Sequence, residues 1–308
     1  MGYRNIIISS NSNISVKNAQ LLIGDVGIIP IEDINSVLIE NQHVNISAYT
    51  LQLLAENNIA VYFCNQKHTP NAVLLPMAGH SRHFKMLTLQ INCGKPLKKR
   101  LWQKIVIAKI NNQAKCLELV EDVDGARHLY LMRKRVVSGD TGNIEAQAAA
   151  YYFKRLFGNS FVRSQENVIN ASLNYGYAIV RGVIARSIIY HGYEPSVGIF
   201  HRSEQNSFNL ADDFIEPFRQ IVDLAVYDLI EKEDKEELAP TMKRILYSVL
   251  KYDLEIDNKK QILSNAADIM IESYSRSLME NNVSLLVPTL IGLAEHSYEE
   301  VYDNSYIF

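Results

Sequence analysis

The sequence predicts an α+β protein in which a small β-rich N-terminal domain is followed by a larger all-α C-terminal domain. Short runs of β-branched residues, separated by Gly, Asn and Asp, fill residues 1–76. From about residue 86 onward, apolar residues recur at the spacing of amphipathic helices. A polar stretch separates the two patterns, so we interpret residues 77–85 as a linker between domains at 1–76 and 86–308.

The β-rich part contains short runs that we predict as strands, at residues 5–9, 20–23, 26–29, 36–39 and 59–63. One predicted helix, at residues 47–57, interrupts these runs. Ser47 can accept a hydrogen bond from the first turn of this helix. The apolar residues on one face of the helix are Leu51, Leu54 and Ala55.

Helical periodicity in the C-terminal part is clearest at residues 101–110, 145–157, 170–186 and 209–219. The segment at 145–157 is rich in alanine, its apolar residues follow the pattern of one helix face, and Gly158 ends it. Pro217 must lie in the first turn of a helix or introduce a kink, because proline lacks the N–H that a helix interior uses.

The composition is that of an ordinary globular protein. With 47% hydrophobic and 21% charged residues, the 308-residue chain is not intrinsically disordered and is long enough for two domains that each bury a core. No run reaches the roughly 18 consecutive apolar residues of a membrane span, and the N-terminus lacks a signal-peptide pattern. The three cysteines are odd in number and lack Cys-x-x-Cys spacing, which predicts a reducing, cytoplasmic location without disulfides.

The formal net charge of −3 conceals a strong asymmetry along the chain. Residues 82–219 carry 20 Lys and Arg against 12 Asp and Glu, a net charge of +8, whereas residues 1–81 carry −2 and residues 220–308 carry −9. Local charge decides where a polyanion binds. The basic segment holds three cationic clusters, each typical of a solvated surface but together favouring contact with phosphates: Lys95–Arg100, Arg133–Arg135 and Lys154–Arg155.

The same basic segment contains an imidazole and several carboxylates that could bind a metal. Glu145 opens the alanine-rich helix, and His201 ends a short apolar run. A further acidic cluster opens the helix around Pro217 and consists of Asp212, Asp213 and Glu216. A carboxylate, an imidazole and a carboxylate from separate elements suit a hard divalent cation such as Mg²⁺ or Mn²⁺. With the basic surroundings, this pattern predicts a metal-dependent enzyme that acts on DNA.

Each candidate ligand also has a purely structural interpretation. Glu145 would complement the dipole of its helix, and a lone histidine is more often a surface or satisfied core residue. Asp212 is better explained as a helix cap. Asp213 and Glu216 are three residues apart, so on a helix they share a face, where their charges repel unless a cation lies between them.

A polar stripe crosses the largely apolar helix at residues 170–186. Asn174, Tyr177 and Arg181 lie at positions i, i+3 and i+7 of this helix. Buried polar groups need partners. A metal site or a phosphate backbone would supply them, and so would a structural network between helices.

Taken together, these segments resemble the CRISPR-associated integrase, the metal-dependent endonuclease of spacer acquisition in the CRISPR-associated protein 1 family. The resemblance covers nearly the whole chain, and four motifs in the order of that family make it specific: residues 143–146 with 149–150, 174–178, 198–201 and 213–219. The opening Gly2-Tyr3-Arg4 and the compact β-rich start look like the branch that accompanies type II systems.

The resemblance implies that Glu145, His201 and Glu216 are the catalytic metal ligands for Mg²⁺ or Mn²⁺. Many family members carry aspartate where this chain has Glu216. The glutamate conserves the carboxylate. Asp213 would be a supporting carboxylate, and Asn174, Tyr177 and Arg181 would support the site from the neighbouring helix. The implied reaction is attack of a prespacer 3′-hydroxyl on a phosphodiester of the CRISPR repeat, or hydrolysis of DNA when water attacks.

The resemblance also implies partners. These are double-stranded DNA, as prespacer and CRISPR repeat, and a second copy of the chain bound largely through the β-rich domain. Two such homodimers would flank a dimer of the small second adaptation protein to form a heterohexamer. Two other functions stay open at this point: a branched-DNA nuclease or resolvase of repair, and a non-catalytic DNA-binding scaffold.

Overall fold

The computed structural model describes residues 4–24, 27–66, 70–76, 81–232 and 237–295. Its N-terminal part is built from short strands and one helix, and all five predicted strand runs are confirmed where they are described. The strands are β1 (Arg4–Ile8), β2 (Asn13–Lys17), β3 (Gln20–Ile23), β4 (Gly27–Pro30), β5 (Ile34–Ile39), β6 (Asn45–Ile46), β7 (Ala60–Cys64) and β8 (Pro70–Leu74). The helix α1 (Ala48–Glu56) begins after Ser47, whose hydroxyl accepts a hydrogen bond from the Thr50 N–H at 3.1 Å, as predicted.

These strands form two four-stranded sheets. The first has the order β1-β5-β7-β8, in which β1, β5 and β7 are parallel and β8 is antiparallel. Every residue of β5 is buried, as expected for a central strand that is covered on both faces. The second sheet has the order β4-β3-β2-β6.

The C-terminal part is mostly helical. Its helices are α2 (His83–Ile91), α3 (Lys95–Leu119), α4 (Val123–Arg133), α5 (Ile144–Phe157), α6 (Val168–Tyr190), α7 (Asn209–Phe214), α8 (Arg219–Lys232), α9 (Pro240–Ser248) and α10 (Leu263–Glu280). The long helices α3 and α6 are buried along most of their length and form the centre of the fold. Helices α4, α5 and α8 pack on α3, and helices α7 to α10 pack on α6.

The prediction that the C-terminal domain is all-α is wrong. Three antiparallel strands form a sheet of order β10-β9-β11, from β9 (Tyr252–Ile256), β10 (Lys259–Ile262) and β11 (Thr289–Glu295). Asp257 and Asn258 join β9 to β10 with φ angles of 52° and 59°. A two-residue turn of this kind closes a hairpin, because its twist matches that of the strands. Strand β11 packs on α3 and α8.

The first sheet and the helices share one hydrophobic core. Leu38, Ala60 and Tyr62 belong to the same buried cluster as the residues of α3 and α6, while a smaller cluster fills the space behind the sheet. At Gly182 on α6, an added Cβ would lie 2.0 Å from Cε1 of Tyr62. Glycine at this position therefore allows the helix to approach the sheet.

Several sequence expectations concern residues outside the described ranges. Residues 77–80 of the expected linker are among them, and α2 already begins at His83. Gly2 and Tyr3 of the opening motif also lie outside these ranges, as do residues 233–236 and 296–308. None of the helices in the described ranges is long and apolar enough to cross a membrane.

Candidate active site

A buried lysine, Lys109, joins two of the predicted metal ligands. It lies on α3, and its ammonium group contacts Oε1 of Glu145 and Oε2 of Glu216. Its side chain is only 9% exposed. Burial acts to lower the pKa of Lys109, but the charges of Glu216 and Glu145 outweigh burial and hold the pKa above its ordinary value. Lys109 therefore stays charged between the two carboxylates.

Glu145 lies in the first turn of α5, as predicted. The cap of this helix is another residue, Asp140, whose carboxylate accepts hydrogen bonds from the N–H groups of Ile144 at 3.0 Å and Glu145 at 2.9 Å. Asn143 precedes the helix with a left-handed φ of 50°. Because Asp140 satisfies the free N–H groups of the first turn, the Glu145 side chain can turn inward to Lys109.

Glu216 begins a 3₁₀ turn, Glu216–Phe218, that lies between α7 and α8. Its carboxylate is buried and accepts a hydrogen bond from Nε of Arg219 at 3.0 Å. Burial acts to raise the pKa of Glu216, but Arg219 and Lys109 lower it to about 2. Pro217 lies at the start of this turn, which agrees with the prediction that it lies in a first turn or introduces a kink.

The amide of Asn112 holds the 3₁₀ turn in place. Its Nδ2 donates hydrogen bonds to the carbonyl oxygens of Pro217 at 2.7 Å and Pro288 at 3.0 Å. Its Oδ1 accepts a hydrogen bond from the Leu290 N–H at 3.1 Å. Asn112 lies one helical turn beyond Lys109 on α3. The same helix therefore carries the cation between the carboxylates and the amide that positions one of them.

His201 lies in the loop between α6 and α7, and Asp213 fixes its orientation. The buried Asp213 carboxylate accepts hydrogen bonds from the N–H groups of Ile199 at 2.6 Å, Phe200 at 3.0 Å and His201 at 3.1 Å, and from His201 Nδ1 at 2.8 Å. An ionised carboxylate only accepts, so Nδ1 carries a proton, and in the neutral imidazole Nε2 has the free lone pair. The hydrogen bond to Asp213 raises the pKa of His201, against the effect of burial.

Asp213 and Glu216 do not share a helix face, so that prediction is wrong. Helix α7 ends at Phe214, and the chain continues into the 3₁₀ turn. Asp213 consequently faces the loop of His201, whereas Glu216 faces Lys109 and Arg219. Their different partners remove the like-charge repulsion that a regular helix would impose.

The polar stripe of α6 divides between two structural networks. Arg181 donates two hydrogen bonds to the Asp212 carboxylate, at 2.6 Å and 2.9 Å. Asp212 lies inside α7, whose N-cap position is Phe208, so the prediction that Asp212 is a helix cap is wrong. Asn174 is exposed and accepts a hydrogen bond from Arg163 at 2.6 Å. Tyr177 donates a hydrogen bond to the buried Asp223.

The Tyr177 network leads back to Glu216. The Arg219 guanidinium lies 4.5 Å from the centroid of the Tyr177 ring and also pairs with Glu216. Tyr152 donates a second hydrogen bond to Asp223 at 3.0 Å. Burial raises the pKa of Asp223 to about 6, although both tyrosine hydroxyls act to lower it. Tyr177 thus supports the site through Arg219.

Trp102 supports the loop of His201 from α3. Its ring stacks on Phe200 with centroids 4.2 Å apart and meets the His201 ring edge-on at 5.8 Å. Trp102 and Lys109 are two turns apart on the same helix, which therefore contacts the His201 loop and both carboxylates.

The residues at this site fit a divalent cation in their chemistry, although not in their present arrangement. Within the described ranges, no three His, Cys, Asp or Glu side chains are grouped so that they could hold one ion. Lys109 lies between the carboxylates instead. Glu216 Oε2 is buried, and the ammonium group of Lys109 contacts it. Two carboxylates with an oriented imidazole are a suitable ligand set for Mg²⁺ or Mn²⁺.

Comparison with known proteins identifies the family. A family model described as CRISPR associated protein Cas1 matches residues 5–246. The chain belongs to the Cas1 family. Over 304 residues it is 41% identical to the CRISPR-associated endonuclease Cas1 of Neisseria meningitidis serogroup C (strain 8013). The alignment covers 97% of this chain and 100% of the relative.

Solved structures share the fold of this Cas1-family chain. A casposase bound to integration product has a TM-score of 0.73 and 20% identity, and the match covers 92% of both chains. A chain of a Cas6-RT-Cas1–Cas2 complex has a TM-score of 0.70 and 15% identity, covering 96% of this chain and 36% of that one. At these identities the likeness concerns the fold alone.

Proposed function

We propose that this chain is a metal-dependent DNA endonuclease and integrase that inserts short foreign DNA fragments into a CRISPR array. The observation that carries the proposal is that Glu145 and Glu216 share the ammonium of Lys109 on α3. The same helix carries Trp102, which packs against the ring of the oriented His201. Family membership supports it, since the 41% identical relative is a CRISPR-associated endonuclease. The casposase of the same fold is bound to an integration product.

Glu145, His201 and Glu216 are the proposed catalytic residues and metal ligands. Mg²⁺ or Mn²⁺ held there would polarise the phosphate and stabilise the attacking and leaving oxygens. The side chains around the ligands prepare them for this role. Asp213 holds the His201 ring so that Nε2 is available, and Arg219 keeps Glu216 ionised.

The proposed substrates are double-stranded DNA, a prespacer and a CRISPR repeat. Residues 82–219 carry the net charge of +8, and the exposed residues of their basic clusters would bind the DNA backbone. The proposed assembly contains a homodimer formed through the β-rich part and a dimer of the small second adaptation protein, as a heterohexamer. A relative in fold comes from a Cas6-RT-Cas1–Cas2 complex, which supports such an assembly.

The first test is transfer of a labelled short duplex into a supercoiled plasmid that carries a CRISPR array. The reaction contains the second adaptation protein and either Mn²⁺ or Mg²⁺. We expect metal-dependent joining by the wild-type protein and its loss, by about 100-fold or more, in His201→Ala. His43→Ala, an exposed histidine in the N-terminal part, is the control and should retain joining.

Each other result points to a different function. Full joining by His201→Ala would contradict the site. Cleavage of branched DNA without joining would favour a repair nuclease or resolvase. DNA binding with neither joining nor cleavage in either metal would favour a non-catalytic scaffold.

A further inference from the structure

The ammonium group of Lys109 contacts both carboxylates that the proposed function assigns to a metal ion. It contacts one oxygen of Glu145 and one of Glu216, which reach it from α5 and from the 3₁₀ turn. The Lys109 and Glu216 side chains are 9% and 8% exposed, and that of Glu145 is 25% exposed. A buried cation in contact with two carboxylates from different elements does structurally what a bound ion would do.

The charges balance around Lys109 without a metal. Lys109 and Arg219 supply two positive charges, and Glu145 and Glu216 supply two negative charges. In a poorly solvated site, such a balance stabilises all four groups. A divalent ion added to the same oxygens would lie within a few Å of the ammonium and would repel it strongly.

We propose that Lys109 and the divalent ion exclude each other at Glu145 and Glu216, so that the ion binds only when Lys109 withdraws. This inference rests on the proposed function. Glu145 is the more exposed of the two carboxylates, at 25% against 8% for Glu216, so the proposal places the withdrawal of Lys109 on the side of Glu145. Lys109 is therefore a positioning residue that holds the two carboxylates in place and weakens metal binding.

Withdrawal of Lys109 also changes the charge of the site. With Lys109 withdrawn, a loaded site carries the ion and Arg219 against two carboxylates, a net charge of +1. Without the ion, Lys109 and Arg219 balance the two carboxylates and the sum is zero. The loaded site therefore attracts a phosphate group more strongly than the metal-free site does.

The test measures Mn²⁺ binding in the absence of DNA, by titration calorimetry on the full-length protein. Lys109→Met keeps the length of the side chain but removes its charge. We expect Mn²⁺ to bind Lys109→Met with a dissociation constant about tenfold lower or more. The metal-free variant should melt at a lower temperature than the wild type, because its two carboxylates lose their shared cation, and Mn²⁺ should raise its melting temperature more.

Matched variants test the role of Lys109 separately from the proposed metal site. Lys104→Met, exposed on the same helix, should change neither the Mn²⁺ affinity nor the melting temperature. Glu216→Gln should weaken Mn²⁺ binding. If Lys109→Met does not fold, Lys109→Gln replaces it, and tighter Mn²⁺ binding than in the wild type is again the supporting result.

Unchanged or weaker Mn²⁺ affinity in the folded lysine variant would overturn the inference. If the wild type still binds Mn²⁺ through Glu216 in that case, the proposed function stands and only the exclusion by Lys109 is refuted. Absence of Mn²⁺ binding in the wild type and in the folded Lys109 variant would instead overturn the proposed metal site itself.

Discussion

The carboxylate of Asp223 is buried between two tyrosine hydroxyls, and this burial makes the stability of the protein depend on pH. Its pKa rises to about 6 in the folded protein from an ordinary value of 3.8. The folded protein therefore retains a proton that the unfolded chain releases. The free energy of unfolding should decrease as the pH rises from about 4 to about 6, by about 3 kcal/mol from this group.

Asp223→Asn removes the titration and should remove this part of the pH dependence. The measurement is chemical denaturation of the wild type and the variant at several pH values between 4 and 7. The wild type should lose stability relative to Asp223→Asn across this range. Asp124→Asn, which removes a highly exposed carboxylate, is the control. Parallel curves for the wild type and Asp223→Asn would contradict the prediction.

The residues of the candidate site differ in how visible they are in the sequence. Glu145 and Glu216 lie at element starts, where an acidic residue interrupts the apolar pattern and stands out. Lys109 and Asp223 are each a single charge within an apolar helical run. Such a residue leaves the helical pattern intact, so the pattern does not mark it as functional. Their partners lie 36 or more residues away in the chain, and only the folded structure brings these charges together.

At the scale of elements, the contact between α6 and β7 depends on the absence of a side chain at position 182. A Cβ there would lie 2.0 Å from Tyr62, whose ring is itself buried. Gly182→Ala should therefore force the helix and the sheet apart and lower the free energy of unfolding by about 1–3 kcal/mol. Denaturant titration measures the effect.

Gly27→Ala is the matched control, since a Cβ at position 27 would meet nothing within 4 Å. It should leave the stability close to that of the wild type. A Gly182→Ala protein as stable as Gly27→Ala would show that the interface between α6 and β7 relaxes without cost.

Elements with clear periodicity were predictable, and the exceptions have physical reasons. The alanine-rich helix is confirmed with Glu145 in its first turn and Gly158, at φ 93°, after its end. Strands β9 to β11 were missed because they are short and occur among helices. The pair Asp257-Asn258 was the local signal for a hairpin. The break after Phe214 had a local signal in Pro217, which lacks the N–H that a continuing helix would use. The contacts of Asp213 with the loop of His201 are tertiary, and no local pattern contains them.

At the scale of the whole molecule, a buried ion pair ties the first sheet to the helices. Lys243 on α9 donates a hydrogen bond to Oε1 of Glu40, just after β5, at 2.9 Å. The two side chains are 9% and 10% exposed. Lys243→Met would leave the Glu40 charge buried without this cation, so the free energy of unfolding should fall by about 3–5 kcal/mol.

Denaturant unfolding, followed both by far-UV circular dichroism and by fluorescence of Trp102, tests this prediction. Arg244→Met, at the exposed neighbouring position, should have little effect. The double variant Glu40→Gln with Lys243→Met should regain part of the lost stability, because the buried charge that lost the Lys243 cation is removed as well. Loss of less than about 1 kcal/mol in Lys243→Met would mean that water reaches Glu40.

The close approach of Gly182 to Tyr62 has an evolutionary consequence. Because the space between α6 and β7 holds one large ring and no Cβ opposite it, neither position can change freely by itself. A larger residue at 182 becomes tolerable only after the ring at 62 is replaced by a smaller side chain. Across the diversity of the family, these two positions are expected to substitute as a pair, although 120 residues separate them in the chain.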